Sequence, residues 1–215
     1  CSVKGLARPV AIGYIGWLVR YLITDLKGEF HVFMAVGRRA CAALLSAGYG
    51  IRTEQAWPSL LNQRLTEKRL DYNVANLSIS GETTAGGRSR LSQALREYKP
   101  AIVLIALGAN DGLRGLPLAQ MRDNLNAMVN AARATGAKVL LAGIRLPPNY
   151  GPYAVEFHTS FSEIARQQKV TLLEFLLAPI AAKQIYFQAD NLHPTAEAQP
   201  LILEHVWPAL LPLLR

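Results

Sequence analysis

The sequence has few cysteines and no recognisable metal or cofactor motif, and each absence excludes a class of protein. Two cysteines in 215 residues cannot build the disulfide framework of a small secreted domain. The four histidines lie far apart and form no H-x-x-x-H pair, which argues against a metal site. No G-x-G-x-x-G follows a predicted strand. We therefore expect a protein that needs neither a metal nor a cofactor.

Charge is also scarce, since charged residues make up 18% of the chain for a net charge of +8. The first 40 residues carry +4 of that excess, so the rest of the chain is only modestly basic. No run of Lys and Arg is interleaved with aromatic residues, and we expect no nucleic-acid partner. Apolar residues reach 51%, and the length suits a single globular domain with a substantial core.

The amino-terminal segment differs from the rest. Lys4 and Arg8 precede an apolar stretch at 10–19, which is the pattern of a short secretory signal. Ten apolar residues are too few for a stable membrane span, which needs about 20. No clear A-x-A cleavage site follows, so an amphipathic helix packed on the domain is the alternative. We interpret residues 1–30 as a signal-like or atypical segment, residues 31–215 as the domain, and the location as periplasmic or secreted.

The sequence begins with Cys1 and not with Met, which suggests an incomplete or processed amino terminus. From about residue 30, short apolar runs alternate with segments of helical spacing. Runs such as AIVLIAL are apolar throughout, which predicts strands covered by helices on both faces. The expected fold is a three-layer α/β/α sandwich with a five-stranded parallel sheet. The predicted strands are 31–36, 72–79, 101–107, 138–144 and 171–176, and the predicted helices are 56–70, 87–98, 118–135, 153–168 and 195–214.

The loops that follow the predicted strands hold the candidate functional residues, because ligands of such sheets bind beyond the carboxyl ends of the strands. Gly81 follows the second strand and leaves a backbone N–H open to a ligand oxygen. Asn110 follows the third strand and offers a side-chain amide as a second donor. Asp190 precedes His193 by three residues, a spacing at which a carboxylate can orient an imidazole. Each feature alone is typical of a turn, so the hypothesis depends on all of them.

Several strings carry a resemblance to a known family. The longest are GANDGLRG at 108–115 and IRLPPNYG at 144–151, and shorter ones occur at 46–50, 56–62, 76–82 and 190–194. From about residue 45 to residue 214 the sequence resembles the SGNH (GDSL-like) hydrolases, in particular the bacterial arylesterases and multifunctional thioesterase, protease and lysophospholipase enzymes. The resemblance implies a flavodoxin-like fold and a small-molecule ester, thioester or lysophospholipid substrate.

The resemblance also implies roles for individual residues. His193 would be the general base and Asp190 the group that orients it. Gly81 and Asn110 would donate to the oxyanion together with the backbone N–H of the nucleophile. Arg145 and Tyr150, after the fourth strand, would line the pocket for the acyl or alcohol part of the substrate.

One block departs from the family pattern. The family's first block reads GDSLS before AGYG, and alignment on AGYG at 47–50 places Leu44 at the nucleophilic serine. Leucine can neither attack a carbonyl carbon nor donate a hydrogen bond to His193. Cys41 lies three residues from the required position and is more typical of buried packing than of a replacement nucleophile.

Three hypotheses explain the departure. In the first, Ser46 is a substitute nucleophile, although two residues correspond to about 6 to 7 Å of extended chain. In the second, a change of reading frame or an assembly error altered the stretch before Leu45 in the sequence of an active esterase. In the third, the protein is catalytically silent and binds an acyl or ester-like ligand. The sequence leaves all three open, and it does not indicate an oligomeric state.

Overall fold

The computed structural model describes the backbone of residues 39–44 and the whole of residues 48–215. The predicted segment 1–30, the predicted strand 31–36 and Ser46 lie outside the described residues. Strands and helices alternate through the described part of the chain. The strands are β1 (Arg39–Leu44), β2 (Tyr72–Asn76), β3 (Ile102–Ile105), β4 (Lys138–Ala142) and β5 (Thr171–Leu173). The helices are α1 (Trp57–Glu67), α2 (Thr84–Tyr98), α3 (Ala109–Leu113), α4 (Leu118–Ala134), α5 (Pro152–Gln168) and α6 (Gln199–Leu210).

The described strands form one parallel sheet in the order β2-β1-β3-β4-β5. In the register of β1, Ala43 lies opposite Asn76 of β2, and Leu44 lies opposite Ile105 of β3. The chain leaves β1 towards β2 on one side and later returns to β3 on the other, which makes the end of β1 a topological switch point. The loops after β1, β2 and β3 therefore meet at the carboxyl edge of the sheet.

Alternate residues of the central strands pack on opposite helical layers. Ile102 and Leu104 are fully buried against the layer of α1 and α6. Val103 and Ile105 are fully buried against the layer of α2, α4 and α5. Burial of each such side chain contributes about 1.5 to 3 kcal/mol to the free energy of unfolding. Helices thus cover both faces of the sheet, which confirms the predicted α/β sandwich.

Two local predictions were wrong. No strand was predicted at 39–44, yet β1 occupies those residues and pairs with strands on both sides. Pairing of this kind uses backbone groups, which a hydrophobic pattern does not reveal. The segment after β3 was expected to be a loop, but it forms the short helix α3, which Gly108 precedes at a φ of 122°. Within the described residues, no helix is long and apolar enough to cross a bilayer.

Candidate active site

Asp190 and His193 form a hydrogen-bonded pair in the loop before α6. The carboxylate Oδ2 of Asp190 lies 2.7 Å from Nδ1 of His193. Oδ1 of the same carboxylate accepts the backbone N–H groups of Leu192 at 2.9 Å and His193 at 3.0 Å. These bonds fix both the loop conformation and the ring.

The electrostatics of the pair suit a base. Hydrogen bonds from the backbone N–H and the ring of His193, with a further one from the Leu192 N–H, lower the pKa of Asp190 to about 2. Asp190 is therefore ionised at neutral pH and can only accept a hydrogen bond. The neutral imidazole must then carry its proton on Nδ1, which leaves Nε2 free to accept a proton. The His193 side chain is 43% exposed, so a substrate can reach it.

Gly81, a candidate oxyanion donor, has a backbone conformation that favours glycine. Its φ of +77° lies in the left-handed region that favours glycine, and a Cβ placed there would be 3.9 Å from its nearest neighbouring atom, on Arg114. Arg114 donates to the carbonyl oxygen of Gly81 at 3.1 Å. No acceptor in the described part of the chain binds the Gly81 N–H. That N–H is available to a ligand.

Asn110 lies in the first turn of α3, beside the Gly81 loop. Its Nδ2 donates to the carbonyl oxygen of Glu82 at 3.1 Å. One amide hydrogen is used in this bond, and the second can be donated to a ligand. The structure thus brings Gly81 and Asn110 together, although 28 positions separate Asn110 from Glu82.

A buried network that sequence reasoning missed holds these two donors in place. The Asp111 carboxylate, only 3% exposed, accepts the backbone N–H of Thr84 at 2.8 Å and its hydroxyl at 2.6 Å. Asn124 of α4 donates to the same hydroxyl at 3.1 Å. The network binds α3, which carries Asn110, to the start of α2, which follows Gly81. The only sequence signal for this network was Asp111, which directly follows the candidate donor Asn110.

The Gly81 loop has a second support in an ion pair. The carboxylate of Glu82 receives both Nε and Nη2 of Arg90, which lies on α2. The Glu82 side chain is only 7% exposed. A bidentate pair of this kind fixes the relative orientation of the guanidinium and carboxylate planes. It therefore restricts the conformation of the peptide that follows Gly81.

Gln188, which sequence reasoning also missed, joins the loop after β1 to the loop that contains His193. Its Nε2 donates to the carbonyl oxygen of Tyr49, in the loop after β1, at 2.7 Å, and to that of Pro194 at 3.1 Å. The ring of Tyr49 lies 4.5 Å from the ring of His193, centroid to centroid. Gly50 has a φ of +73°, and a side chain there would overlap the Gln188 amide.

The two candidate pocket residues take different positions. Tyr150 donates its hydroxyl to the carbonyl oxygen of Leu113 at 3.1 Å, which ties the loop after β4 to α3. Arg145 is exposed and stacks over Phe175 with its guanidinium carbon 5.3 Å from the ring centroid. Neither residue has a described contact with the Asp190–His193 pair. Their roles in substrate binding stay predictions.

Position 44, where the resemblance expects the nucleophile, lies at the end of β1. Leu44 is the last residue of β1 and pairs with the last residue of β3, at the carboxyl edge. Cys41 is paired inside the sheet with Val74 and Ile102, away from that edge. Ser46 lies outside the described residues. Within those residues, no cluster of three or more His, Cys, Asp or Glu side chains is placed to hold a metal ion.

Comparisons with known proteins agree on one family. The GDSL-like Lipase/Acylhydrolase family matches residues 45–200. The chain is 52% identical over 171 residues to esterase TesA of Pseudomonas aeruginosa, which covers 79% of this chain and 85% of that protein. It is 39% identical over 170 residues to thioesterase 1/protease 1/lysophospholipase L1 of Escherichia coli. That match covers 79% of this chain and 80% of that protein. The crystal structure of the psychrotrophic esterase EstA from Pseudoalteromonas sp., inhibited by monoethylphosphonate, gives a TM-score of 0.77 at 40% identity, covering 81% of this chain and 97% of that one.

A parallel sheet with an Asp–His pair in a loop at its carboxyl edge is an architecture that hydrolases use. The chain belongs to the GDSL-like lipase/acylhydrolase family. Its relatives are named as esterases and a thioesterase, so by family resemblance the chain is a hydrolase of small-molecule esters or thioesters. The expected resemblance is thereby confirmed.

Proposed function

We propose that this chain hydrolyses carboxylic esters or thioesters, with acyl esters of the lysophospholipid type among its substrates, and that the residues described above do the chemistry. The observation that carries the proposal is the 2.7 Å bond between Asp190 and His193, in a loop that Gln188 ties to Tyr49 in the loop after β1. This bond supports a role of the imidazole Nε2 as the base.

The proposed reaction has two halves. A serine hydroxyl attacks the acyl carbon and gives its proton to Nε2 of His193, which passes it to the departing alcohol or thiol. Water then attacks the acyl-enzyme, again with His193 as base, and releases the acid. The charge on the carbonyl oxygen is stabilised by the N–H of Gly81 and the amide of Asn110, each worth about 2.7 to 4 kcal/mol in comparable sites. Asp190 stays ionised and holds the ring.

The proposed nucleophile is Ser46. It is the hydroxyl residue nearest in sequence to Leu44, with which β1 ends, and it precedes the Tyr49 loop that Gln188 binds. Ser78 is a weaker candidate because its hydroxyl already donates to the side chain of Asn76 at 2.6 Å. Arg145 and Tyr150 are proposed to border the substrate pocket from the loop after β4.

A second function is favoured by one specific observation, the leucine at position 44. With no hydroxyl at the end of β1, the site would retain its base and oxyanion donors but form no acyl-enzyme. Such a protein would bind an acyl or ester-like ligand without cleaving it. The two candidates differ in whether the chain contains an activated serine.

Labelling of the purified protein with a fluorophosphonate separates them, because the reagent reacts with an activated serine whatever the natural substrate. Intact mass counts the adducts and peptide mapping places them. A single adduct on Ser46 that is lost in Ser46→Ala and slowed in His193→Ala supports the hydrolase. Ser80→Ala is the matched control and should label like the parent.

The opposite results are equally informative. Absence of any adduct on folded protein, together with saturable binding of a fatty acid, supports the silent binding protein. An adduct on Ser78 or Ser80 contradicts the assignment of Ser46. Labelling that is unchanged in His193→Ala contradicts the assignment of the base.

A further inference from the structure

Positive charge is concentrated at the edge of the sheet opposite the candidate active site. We define the basal edge as the last turns of α1, α2, α4 and α5, the loops that lead from them into β2, β3, β4 and β5, and the first residue of each of these strands. Because each of these helices runs antiparallel to the strand that follows it, all four end at the amino edge of the parallel sheet. Six exposed cationic side chains lie there: Lys68, Arg69, Arg96, Lys99, Arg166 and Lys169.

Two further cations of the basal edge bind backbone carbonyls. Arg133 donates to the carbonyl oxygen of Gln168 at 2.9 Å, and Lys138 donates to that of Leu213 at 2.9 Å. Arg64, in the last turn of α1, is paired with Glu204. The basal edge therefore carries nine of the 17 basic side chains of residues 48–215. Only three of the 13 acidic ones, those of Glu67, Asp71 and Glu97, lie there. The rest of this part of the domain is nearly neutral.

Helix dipoles explain part of this pattern, since a cation in the last turn of a helix is favourable. They do not explain the whole pattern, because several of these cations have no carboxylate partner, unlike Arg122 of α4, which is paired with Glu156 at 2.8 Å. In residues 48–215, no carboxylate lies within 4 Å of the charged groups of Arg96, Lys99 or Lys169. These cations are free to meet an external anion.

The basal edge also contains an open cavity of about 460 Å³ between the ends of α2 and α4. Its lining combines the cations Arg96 and Lys99 with the hydroxyl residues Ser92 and Thr135. A volume of this size admits a phosphate ester headgroup, and cations with hydroxyl donors are the groups that bind one.

We propose that the basal edge binds the surface of an anionic phospholipid bilayer, with a headgroup phosphate in the cavity between Arg96 and Lys99. The charge distribution argues for this occupant, because cations spread over the ends of four helices match a planar anionic surface. The exposed large apolar side chains of the described residues lie on the opposite side of the domain, in segments near the carboxyl edge of the sheet. They are Tyr49, Ile79, Val155, Ile185 and Leu192. The basal edge therefore binds by electrostatic attraction without insertion. The proposal does not depend on the proposed function.

Bound in this way, the protein would turn the Asp190–His193 pair away from the bilayer surface and towards the aqueous phase. The site would then draw substrate from solution or from a facing membrane, not from the leaflet to which the protein is attached.

Vesicle sedimentation tests the proposal with the full chain. The vesicles contain two parts phosphatidylcholine and one part phosphatidylglycerol, and vesicles of phosphatidylcholine alone serve as the neutral reference. The basal variant is Lys99→Asn/Lys169→Asn, since both lysines have positive φ, which asparagine tolerates. The matched control, Arg52→Gln/Lys183→Gln, removes the same charge from exposed positions outside the basal edge.

Each cation near an anionic leaflet contributes about a fivefold change in partitioning, so the basal variant should bind roughly 25-fold more weakly than the parent. The control should bind within about twofold of the parent. Binding of the parent should also disappear when added salt shortens the Debye length from about 10 Å to about 3 Å.

Three results would overturn the proposal. Equal binding by the basal and control variants would show that net charge alone, or residues outside the described part, attracts the vesicles. Equal binding of the parent to neutral vesicles would point to apolar insertion, which Ile79→Ser/Ile185→Ser would then weaken. Binding to a DNA duplex at the same salt concentration but to neither vesicle would identify a different polyanion as the partner.

Discussion

The side chain of Gln188 reaches across from the His193 loop and donates to the carbonyl oxygen of Tyr49, 139 positions earlier in the chain, at 2.7 Å. The same amide nitrogen donates to Pro194, the residue after His193, at 3.1 Å. The Gln188 amide and the contact between the rings of Tyr49 and His193, 4.5 Å apart, therefore join the loop that follows β1 to the imidazole.

We predict that Gln188→Met, which keeps the volume but removes both donors, loosens this junction. The free energy of unfolding should fall by about 1 kcal/mol, because the exposed carbonyl oxygen of Tyr49 and the part-buried one of Pro194 lose a partner. Amide exchange at Leu192 and His193 should accelerate at least tenfold. Urea unfolding and hydrogen exchange measure the two effects. The control Gln120→Met, at an exposed position of α4, should change neither, and a loss of similar size there would refute the claim.

The network under the oxyanion donors gives a second prediction. Thr84→Val removes the hydroxyl that donates to Asp111 and accepts from Asn124, and it leaves a buried carboxylate short of one donor. The free energy of unfolding should fall by about 2 to 3 kcal/mol. Thr83→Val is the matched control, since Thr83 has no side-chain hydrogen bond to the start of α2. Chemical denaturation measures the free energy of unfolding of the two variants. Equal losses in Thr84→Val and Thr83→Val would show that the buried network adds no stability beyond that of the control position.

Asp190 gives a prediction about pH. Its pKa is lowered from 3.8 to about 2, so its hydrogen bonds to the His193 loop are fully present above about pH 4 and are lost as the pH falls towards 2. A carbon-13 titration of the carboxyl group should show a midpoint near 2. Asp190→Ala, which removes the acceptor, should release the Leu192 and His193 amides at neutral pH as well. A carboxyl midpoint at or above 3.8 would contradict the geometry.

Much of this arrangement was predictable from sequence, and the reason differs between elements. The strands β2 to β5 and five of the helices have the apolar spacing that burial requires, so their positions were predicted to within a few residues. β1 and α3 were not predicted, because backbone pairing stabilises the first and Gly108 with tertiary contacts stabilises the second. The segment 1–30 and the periplasmic or secreted location stay predictions.

The candidate site also contains both residues that the sequence could predict and residues that it could not. Asp190 and His193 are close in sequence, and their pairing follows from local geometry, so the spacing was informative. The supporting residues Gln188, Asp111 and Glu82 act through bonds to distant or unremarkable backbone groups. No spacing rule reports such contacts. They become visible only when the loops are placed in space.

Leu44 stands where the family resemblance expects the nucleophilic serine, and it can be replaced directly. Leu44→Ser with Ala43→Asp restores the two residues that the family has at the end of β1. We predict a gain in ester hydrolysis, because His193 would then have a hydroxyl at the switch point. The matched control is Ala43→Asp with Leu44→Ala, which makes the same local change without a nucleophile.

The most direct test of the account is the rate of hydrolysis of a p-nitrophenyl acyl ester by these two variants, each built on Ser46→Ala so that Ser46 contributes no activity, and each shown to be folded by circular dichroism. The serine variant should exceed the alanine control by about 10³-fold or more, and His193→Ala added to it should remove the gain. If the folded serine variant hydrolyses the ester no faster than its alanine control, then Gly81, Asn110, Asp190 and His193 do not form a catalytic site around the end of β1.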